Sequence, residues 1–224
     1  MTQELILVLD EGTTSTRAIL FGLDGTVHGV AQRELTQFYP APGLVEHDPQ
    51  EIWERTLACA REAVERTGGA GRIAAIGIAN QRETVVAWDR ASGEPLARAL
   101  VWQDRRTAER CRELKERGLE EDVQAITGLL LDPYFSATKM HWLLANEAAV
   151  AGAATARRLA LGTVESWLLF KLSGGAHLSD ASNASRTLLL PLAGASWDAG
   201  LCELFGVRQT ALPEVTDNAG PLAM

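Results

Sequence analysis

The order of elements between Leu5 and Ala79 constrains this chain more than any other feature. Leu5 to Leu9 form a continuous apolar run, the pattern of a strand covered on both faces, and Asp10-Glu11-Gly12 breaks it, so a loop is predicted from Asp10. Arg17 to Leu23 reads as a second strand, Asp24-Gly25 as a hairpin turn, and Val27 to Phe38, with alternating polar residues, as a third strand. Asp48-Pro49-Gln50-Glu51 has the form of a helix start: a capping acid, a proline in the first turn and an acid three residues after the cap. Ile52, Thr56, Leu57, Ala60, Ala63 and Val64 then recur at helical spacing until Gly68-Gly69. Ile73 to Ala79 is predicted as a buried strand. The order is three strands in an antiparallel meander, a helix, then more strands.

Two more strands are predicted at Thr84 to Trp88 and Ala99 to Trp102. From Asp104 the chain turns helical, with RRTAERCRELKERG as one amphipathic helix ended by Gly118, then helices over Leu119 to Ile126, Ala137 to Ala149 and Val164 to Leu172. The alanine-rich stretch Ala148 to Ala156 suits a surface helix or a loop. With 224 residues, 46% of them hydrophobic and 22% charged, the chain has enough apolar content for one large core or two modest ones. A net charge of -8 argues against a nucleic-acid partner, which needs clustered Lys and Arg, and favours a small ligand.

Cys59, Cys111 and Cys202 are odd in number and lack CxxC spacing, so they read as buried thiols in a reducing compartment. His28, His47, His141 and His177 show no spacing for a metal or a triad, and His47 reads as a helix-entry residue. The start of the chain has no basic region and only a short apolar run, and no stretch has the length of a bilayer span. A soluble, cytoplasmic protein without a secretory signal is expected.

Four polar blocks carry candidate chemistry. In the first, Asp10 is followed by Gly12, Thr13, Thr14, Ser15 and Arg17 at a strand end. A glycine there lets the backbone approach an anion, amides and hydroxyls contact phosphate oxygens, the carboxylate holds a hydrated magnesium ion, and Arg17 adds charge where a phosphoryl group moves. The same residues also suit an ordinary Asp-Gly turn. Neither GxxxxGK[ST] nor a GxGxxG that opens a helix is present, which disfavours P-loop kinases and Rossmann dehydrogenases.

The second block, Asn80 to Thr84, follows a buried strand and sets Arg82 beside Glu83, a donor and an acceptor for neighbouring hydroxyls of a polyol; a solvated hairpin is the alternative. In the third, Trp102 offers an apolar wall or simply core, and Asp104 caps the next helix. In the fourth, Asp132 to Ser136, the Tyr134 hydroxyl points at a ligand or Ser136 caps a helix. Asp180 to Arg186 reads as a turn that lines the cleft or as a plain polar loop.

In this order LDEGTTSTR, PGLVEHDPQEIW, AAIGIANQRET, VWQDRRT, GLLLDPYFSATK and SNASRT resemble the FGGY carbohydrate kinases over essentially the whole chain, and in particular the branch that acts on glycerol. The resemblance implies an α/β, ribonuclease H-like fold of the actin and hexokinase type with a mixed sheet flanked by helices, ATP with Mg²⁺, and residues 1–224 as the N-terminal, phosphate- and polyol-binding domain. It implies Asp10 as the residue that helps hold Mg²⁺ through water, Asp10 and Arg17 as catalytic, Gly12, Thr13, Thr14, Ser15 and Arg17 as the ATP phosphate loop, and Arg82, Glu83, Trp102 and Tyr134 as glycerol contacts.

Glu11 departs from the family's usual Gln, so Glu11→Gln is expected to lower the KM for ATP in a full-length enzyme. The general base belongs to a GxxGDQ-like segment that the resemblance places beyond Met224, together with the adenine pocket. The expected partners are therefore glycerol, ATP or ADP, the C-terminal kinase domain, and in some settings a second copy of the chain. A pentulose kinase and a noncatalytic nucleotide- or polyol-binding domain are the other readings. The kinase reading requires the acid-and-threonine loop and the Arg82-Glu83 pair to serve one pocket.

Overall fold

A computed structural model describes residues 4–220. In chain order the elements are β1 (Leu5–Glu11), β2 (Ser15–Gly22), β3 (Val27–Glu34), β4 (Glu46–His47), α1 (Pro49–Arg66), β5 (Ile73–Asn80), β6 (Val85–Asp89), β7 (Ala99–Leu100), α2 (Ala108–Glu116), α3 (Glu120–Thr127) and α4 (Ser136–Asn146). There follow α5 (Ala148–Thr155), β8 (Leu159–Thr163), α6 (Val164–Ser173), β9 (Leu178–Asp180), α7 (Ala181–Ala184), α8 (Ala199–Leu204) and β10 (Glu214–Thr216). The chain folds as two compact units, the first made of residues 1–37 and 47–81, the second of 38–46 and 82–224.

In the first unit the sheet order is β3-β2-β1-β5, with β1 antiparallel to β2 and parallel to β5. The predicted meander, the helix and the returning strand are all present, and the sheet is mixed. Alternation along β1 sends Leu5, Leu7 and Leu9 into a core shared with Ala18, Leu20, Cys59 and Ala63. Helix α1 begins where its cap predicts, since Asp48 Oδ1 accepts from Gln50 N at 2.9 Å. It ends before Gly68 and Gly69, both at positive φ.

Two expectations fail here. Strand β1 does not yield to a loop at Asp10; it runs on through Glu11, because Asp10 pairs with Arg17 and Glu11 with Thr16 across the ladder. Strand β5 is not buried on both faces, since it forms the sheet edge, and Ile76 stays 53% exposed with Ala74 and Ala75 also exposed.

The second unit holds a sheet of order β4-β7-β6-β8 and a two-stranded parallel pair, β10-β9. Strand β8 has no counterpart among the predicted elements. It is buried along its whole length and pairs antiparallel with β6. The helix predicted over Ala137 to Ala149 breaks at Asn146 into α4 and α5, and the alanine-rich stretch is helix α5, with Val150 and Ala153 in the core. Helices α2 to α5 and the segment after α7 close one continuous core around Leu114, Val123, Met140, Leu143, Leu161 and Phe205. All three cysteines are buried thiols, as expected. Among the described residues no helix is long and apolar enough to cross a membrane.

Candidate functional site

In the first unit the segment Gly12–Ser15 is a tight connection between β1 and β2, closed by Gly12 N donating to Ser15 O at 3.0 Å. Its carbonyls are tied down in sequence. Gln81 Nε2 donates to Gly12 O at 3.0 Å, Gln37 Nε2 to Thr13 O at 2.6 Å, and Leu35 N to Thr14 O at 2.9 Å. A Cβ at Gly12 would stand 3.0 Å from the Ser15 carbonyl, so the turn needs a glycine for closeness. Thr14 is exposed, Thr13 partly so, and Ser15 buried. Beside the loop Arg17 Nη1 donates to Asp10 Oδ2 at 3.0 Å, and Arg17 Nε to Gln32 Oε1 at 3.1 Å. Both side chains of that pair are 37% exposed, so Asp10 and Arg17 remain accessible to an anion or a hydrated cation.

Glu11 points the other way. It is wholly buried beneath α1, where Thr56 Oγ1 donates to its Oε2 at 2.7 Å, and burial raises its pKa to about 7. This orientation moves the expected effect of Glu11→Gln from nucleotide affinity to stability. His47 supports the loop from behind. It is buried and accepts from Gln81 Nε2 through Nδ1 at 3.3 Å, while burial lowers its pKa to about 4, so the ring is neutral.

The second unit brings together three of the four predicted polyol residues. Glu83 is buried and held at φ 64, a strained backbone for a residue with a side chain. Its Oε1 accepts from Arg186 Nε at 2.7 Å, and its carbonyl accepts from Ser136 Oγ at 3.1 Å. The Arg186 guanidinium lies 4.9 Å from the Phe135 ring centroid and 5.8 Å from that of Tyr134, and Tyr134 meets Trp102 edge-to-face at 5.5 Å. A carboxylate, a guanidinium and two aromatic walls thus share one place. Arg82 is exposed and makes no side-chain hydrogen bond or ion pair with a described residue.

Three residues here were not singled out from sequence. Arg186 lies in the DASNASR stretch, which is not a plain turn: Asp180 caps the short helix α7 through Asn183 N at 2.6 Å. Glu165 backs this segment, accepting from Asp180 N at 2.9 Å and Ser179 Oγ at 3.0 Å, and burial raises its pKa to about 7. Lys139 is fully buried, and its Nζ donates to the carbonyls of Pro133, Tyr134 and Phe135 at 2.9, 2.6 and 2.9 Å. It fixes the turn that carries Tyr134, and burial pulls its pKa down to about 7.

Asp104 does not cap a helix, since α2 starts at Ala108. It is buried, accepts from Val45 N at 2.7 Å, and forms a two-point pair with Arg106 Nε and Nη2, both at 2.9 Å. Ser136 likewise begins α4 instead of capping it. Among the described residues no group of three or more His, Cys, Asp or Glu is placed to hold a metal.

A family model described as the N-terminal domain of the FGGY family of carbohydrate kinases matches residues 5–220. The chain belongs to the FGGY family of carbohydrate kinases. It is 54% identical over 217 residues to the glycerol kinase of Rhodospirillum rubrum, covering 96% of the chain but 44% of that protein. Among solved structures it is similar to Plasmodium falciparum glycerol kinase with ADP, at 32% identity and a TM-score of 0.93, covering 99% of the chain and 45% of that one. It is also similar to the xylulose kinase of Rhodospirillum rubrum, at 28% identity and a TM-score of 0.85, covering 95% of the chain and 43% of that one. The chain therefore spans about half the length of the relatives it matches. Its expected α/β fold is that of the sugar kinases.

Proposed function

We propose that residues 1–224 are the phosphate- and polyol-binding half of a cytoplasmic, ATP-dependent glycerol kinase. The observation that carries this reading is the buried Glu83 carboxylate paired with Arg186, whose guanidinium lies near the Tyr134 ring, with Trp102 edge-to-face on Tyr134. A carboxylate accepts from a polyol hydroxyl, a guanidinium donates to one, and the aromatic walls cover the carbon backbone. Arg82, exposed beside this group, closes on the substrate from solvent.

In the same reading Gly12, Thr13, Thr14 and Ser15 receive the ATP phosphates, and Arg17 offsets charge on the transferred group. Asp10 is a half-exposed single carboxylate, which fits a Mg²⁺ ion that keeps its waters and takes its other ligands from phosphates. That ion supplies charge neutralisation on the phosphates when bound. A terminal glycerol oxygen attacks the γ-phosphorus, the bond to the β-γ bridging oxygen breaks, ADP leaves, and the hydroxyl proton passes to a carboxylate outside residues 1–224. Positioning and charge supply nearly all of the catalysis in such a transfer, so half a site binds weakly and turns over negligibly.

Two measurements test this. Calorimetric titration of the chain with glycerol should give saturable, weak binding that Glu83→Gln abolishes; equal binding by wild type and variant removes the polyol assignment. Robust glycerol phosphorylation by the purified 224-residue chain would refute the missing base. A substrate panel on the full-length protein separates glycerol from xylulose, the substrate named for the 28% identical relative.

A further inference from the structure

The second unit contains a cavity of about 630 Å³ away from Glu83 and its partners, in the size range of pockets that hold small organic ligands. Its floor is apolar, formed by Leu144, Ala154 and Leu159, and its rim carries three arginines, Arg90, Arg157 and Arg208. None of the residues that line it is acidic. In a chain of net charge -8, that makes a local electropositive island.

The rim is built. Arg90 Nη2 donates to Thr210 O at 2.9 Å and to His177 Nδ1 at 3.2 Å. His177 Nε2 lies 3.0 Å from Leu161 O and therefore carries the ring proton, while burial lowers the ring's pKa to about 4. The ring is neutral and its Nδ1 is an acceptor, so Arg90 is held from two sides. Arg157 sits at φ 58, a left-handed conformation that closes the end of α5, with Arg157 N donating to Ala154 O and Arg158 N to Ala153 O. These bonds satisfy two carbonyls of the last turn of α5 and fix where Arg157 leaves the helix. Unlike Arg158, which pairs with Asp89, the side chains of Arg157 and Arg208 have no hydrogen-bond or ion-pair partner among the described residues.

We propose that this cavity binds a small organic anion, a phosphate or carboxylate head on a compact apolar body. Guanidinium forks at the rim take the head by paired hydrogen bonds, and the Leu144 and Leu159 floor takes the body. This site is independent of the polyol and phosphate residues.

Calorimetric titrations of the 224-residue chain with phenyl phosphate, benzoate and benzyl alcohol test it. At least one anion should bind saturably, and whichever binds tighter names the head group; benzyl alcohol, with the same ring and no charge, should bind at least about tenfold more weakly. The double variant Arg157→Gly, Arg208→Gln removes both unpaired charges and relaxes the left-handed turn, so it should keep the wild-type melting temperature while losing about tenfold or more in anion affinity. Arg82→Ala should leave anion binding unchanged, which separates this result from any failure of the polyol assignment. Absence of saturable binding by both anions, or equal affinity in wild type and double variant, overturns the proposal.

Discussion

The Gly12–Ser15 loop of the first unit, proposed to receive phosphate, and the Glu83 cluster of the second, proposed to receive a polyol, are built by different means. The loop is a backbone device: its ion pair joins residues seven apart, and its carbonyls accept from Leu35 N and from the side-chain amides of Gln37 and Gln81, up to 69 residues away. The cluster is made of buried side-chain charges: Glu83 pairs with Arg186 across 103 residues, and the turn that presents Tyr134 hangs on the buried Lys139, five residues on. Backbone sites tolerate changes in side chains that do not alter the turn, whereas a cluster of buried charges depends on every partner being present.

The sharpest break of that contrast is Arg186→Ala. It strands the Glu83 carboxylate, whose side chain is 2% exposed, and should cost about 2–3 kcal/mol, the low end for a broken buried pair because Arg186 itself is 26% exposed. Five of the six tryptophans lie in the second unit, so urea denaturation followed by their fluorescence reads the loss directly. Arg186→Lys should recover part of it, since a single charge replaces a fork. A change as small as that of an exposed ion pair would place Glu83 among solvated groups.

Lys139→Met comes next and has a pH signature. The folded-state pKa of about 7 lies below the free value of 10.5, so the unfolded chain binds more protons between these values and stability rises with pH across that window. The variant lacks this group, so the stability of wild type minus variant should grow as pH goes from about 7 towards 10. Near pH 7 the three uncovered carbonyls, offset by relief of a buried charge, leave a cost of about 2 kcal/mol. A pH-independent difference would show that Lys139 titrates as a free amine.

The same contrast explains what the sequence discloses. Residues that act through local backbone are readable: Asp48 announces α1, Gly12 marks a tight turn, and the apolar run Leu5 to Leu9 marks β1, although its alternation of buried Leu5, Leu7 and Leu9 with less buried residues is seen only in the fold. Arg82-Glu83, Trp102 and Tyr134 are recognisable as motif residues, and the fold brings three of them together. What local pattern does not carry is which charged side chains are buried and what they pair with there. Nothing beside Arg186 marks its attachment to Glu83, Lys139 looks like any helix lysine, and Asp104 looks like a cap until Val45 and Arg106 are seen to enclose it. Strand β5 misleads for a related reason, since an apolar run implies cover but not its position at a sheet edge.

Glu11→Gln sharpens the comparison from the other unit. Its folded pKa of about 7 lies above the free value of 4.5, so the native state holds a proton that the unfolded chain releases. The stabilisation is full below pH 4.5 and is lost as pH rises through 7. Glutamine keeps an acceptor for Thr56 and cannot ionise, so at pH 8 the variant should be more stable than wild type by about 1 kcal/mol, with the gap closing towards pH 4.5. An unchanged stability at pH 8 together with a lower KM for ATP in the full-length protein would restore Glu11 to the phosphate site.

The smallest effect on folding belongs to the residues proposed to handle the phosphoryl group. Asp10 and Arg17 form an ion pair that is more than a third exposed on both sides, and such a pair contributes below about 1 kcal/mol. Asp10→Asn should therefore leave the denaturation midpoint of the chain nearly unchanged while lowering kcat of the full-length protein steeply, more than it raises the KM for glycerol, because a metal-positioning carboxylate acts on the transferred phosphoryl group and not on the polyol. A drop in stability comparable to that of Arg186→Ala, with kcat preserved, would make the pair a structural clamp of the β1-β2 ladder and move the charge-handling role to Arg17 and the loop amides.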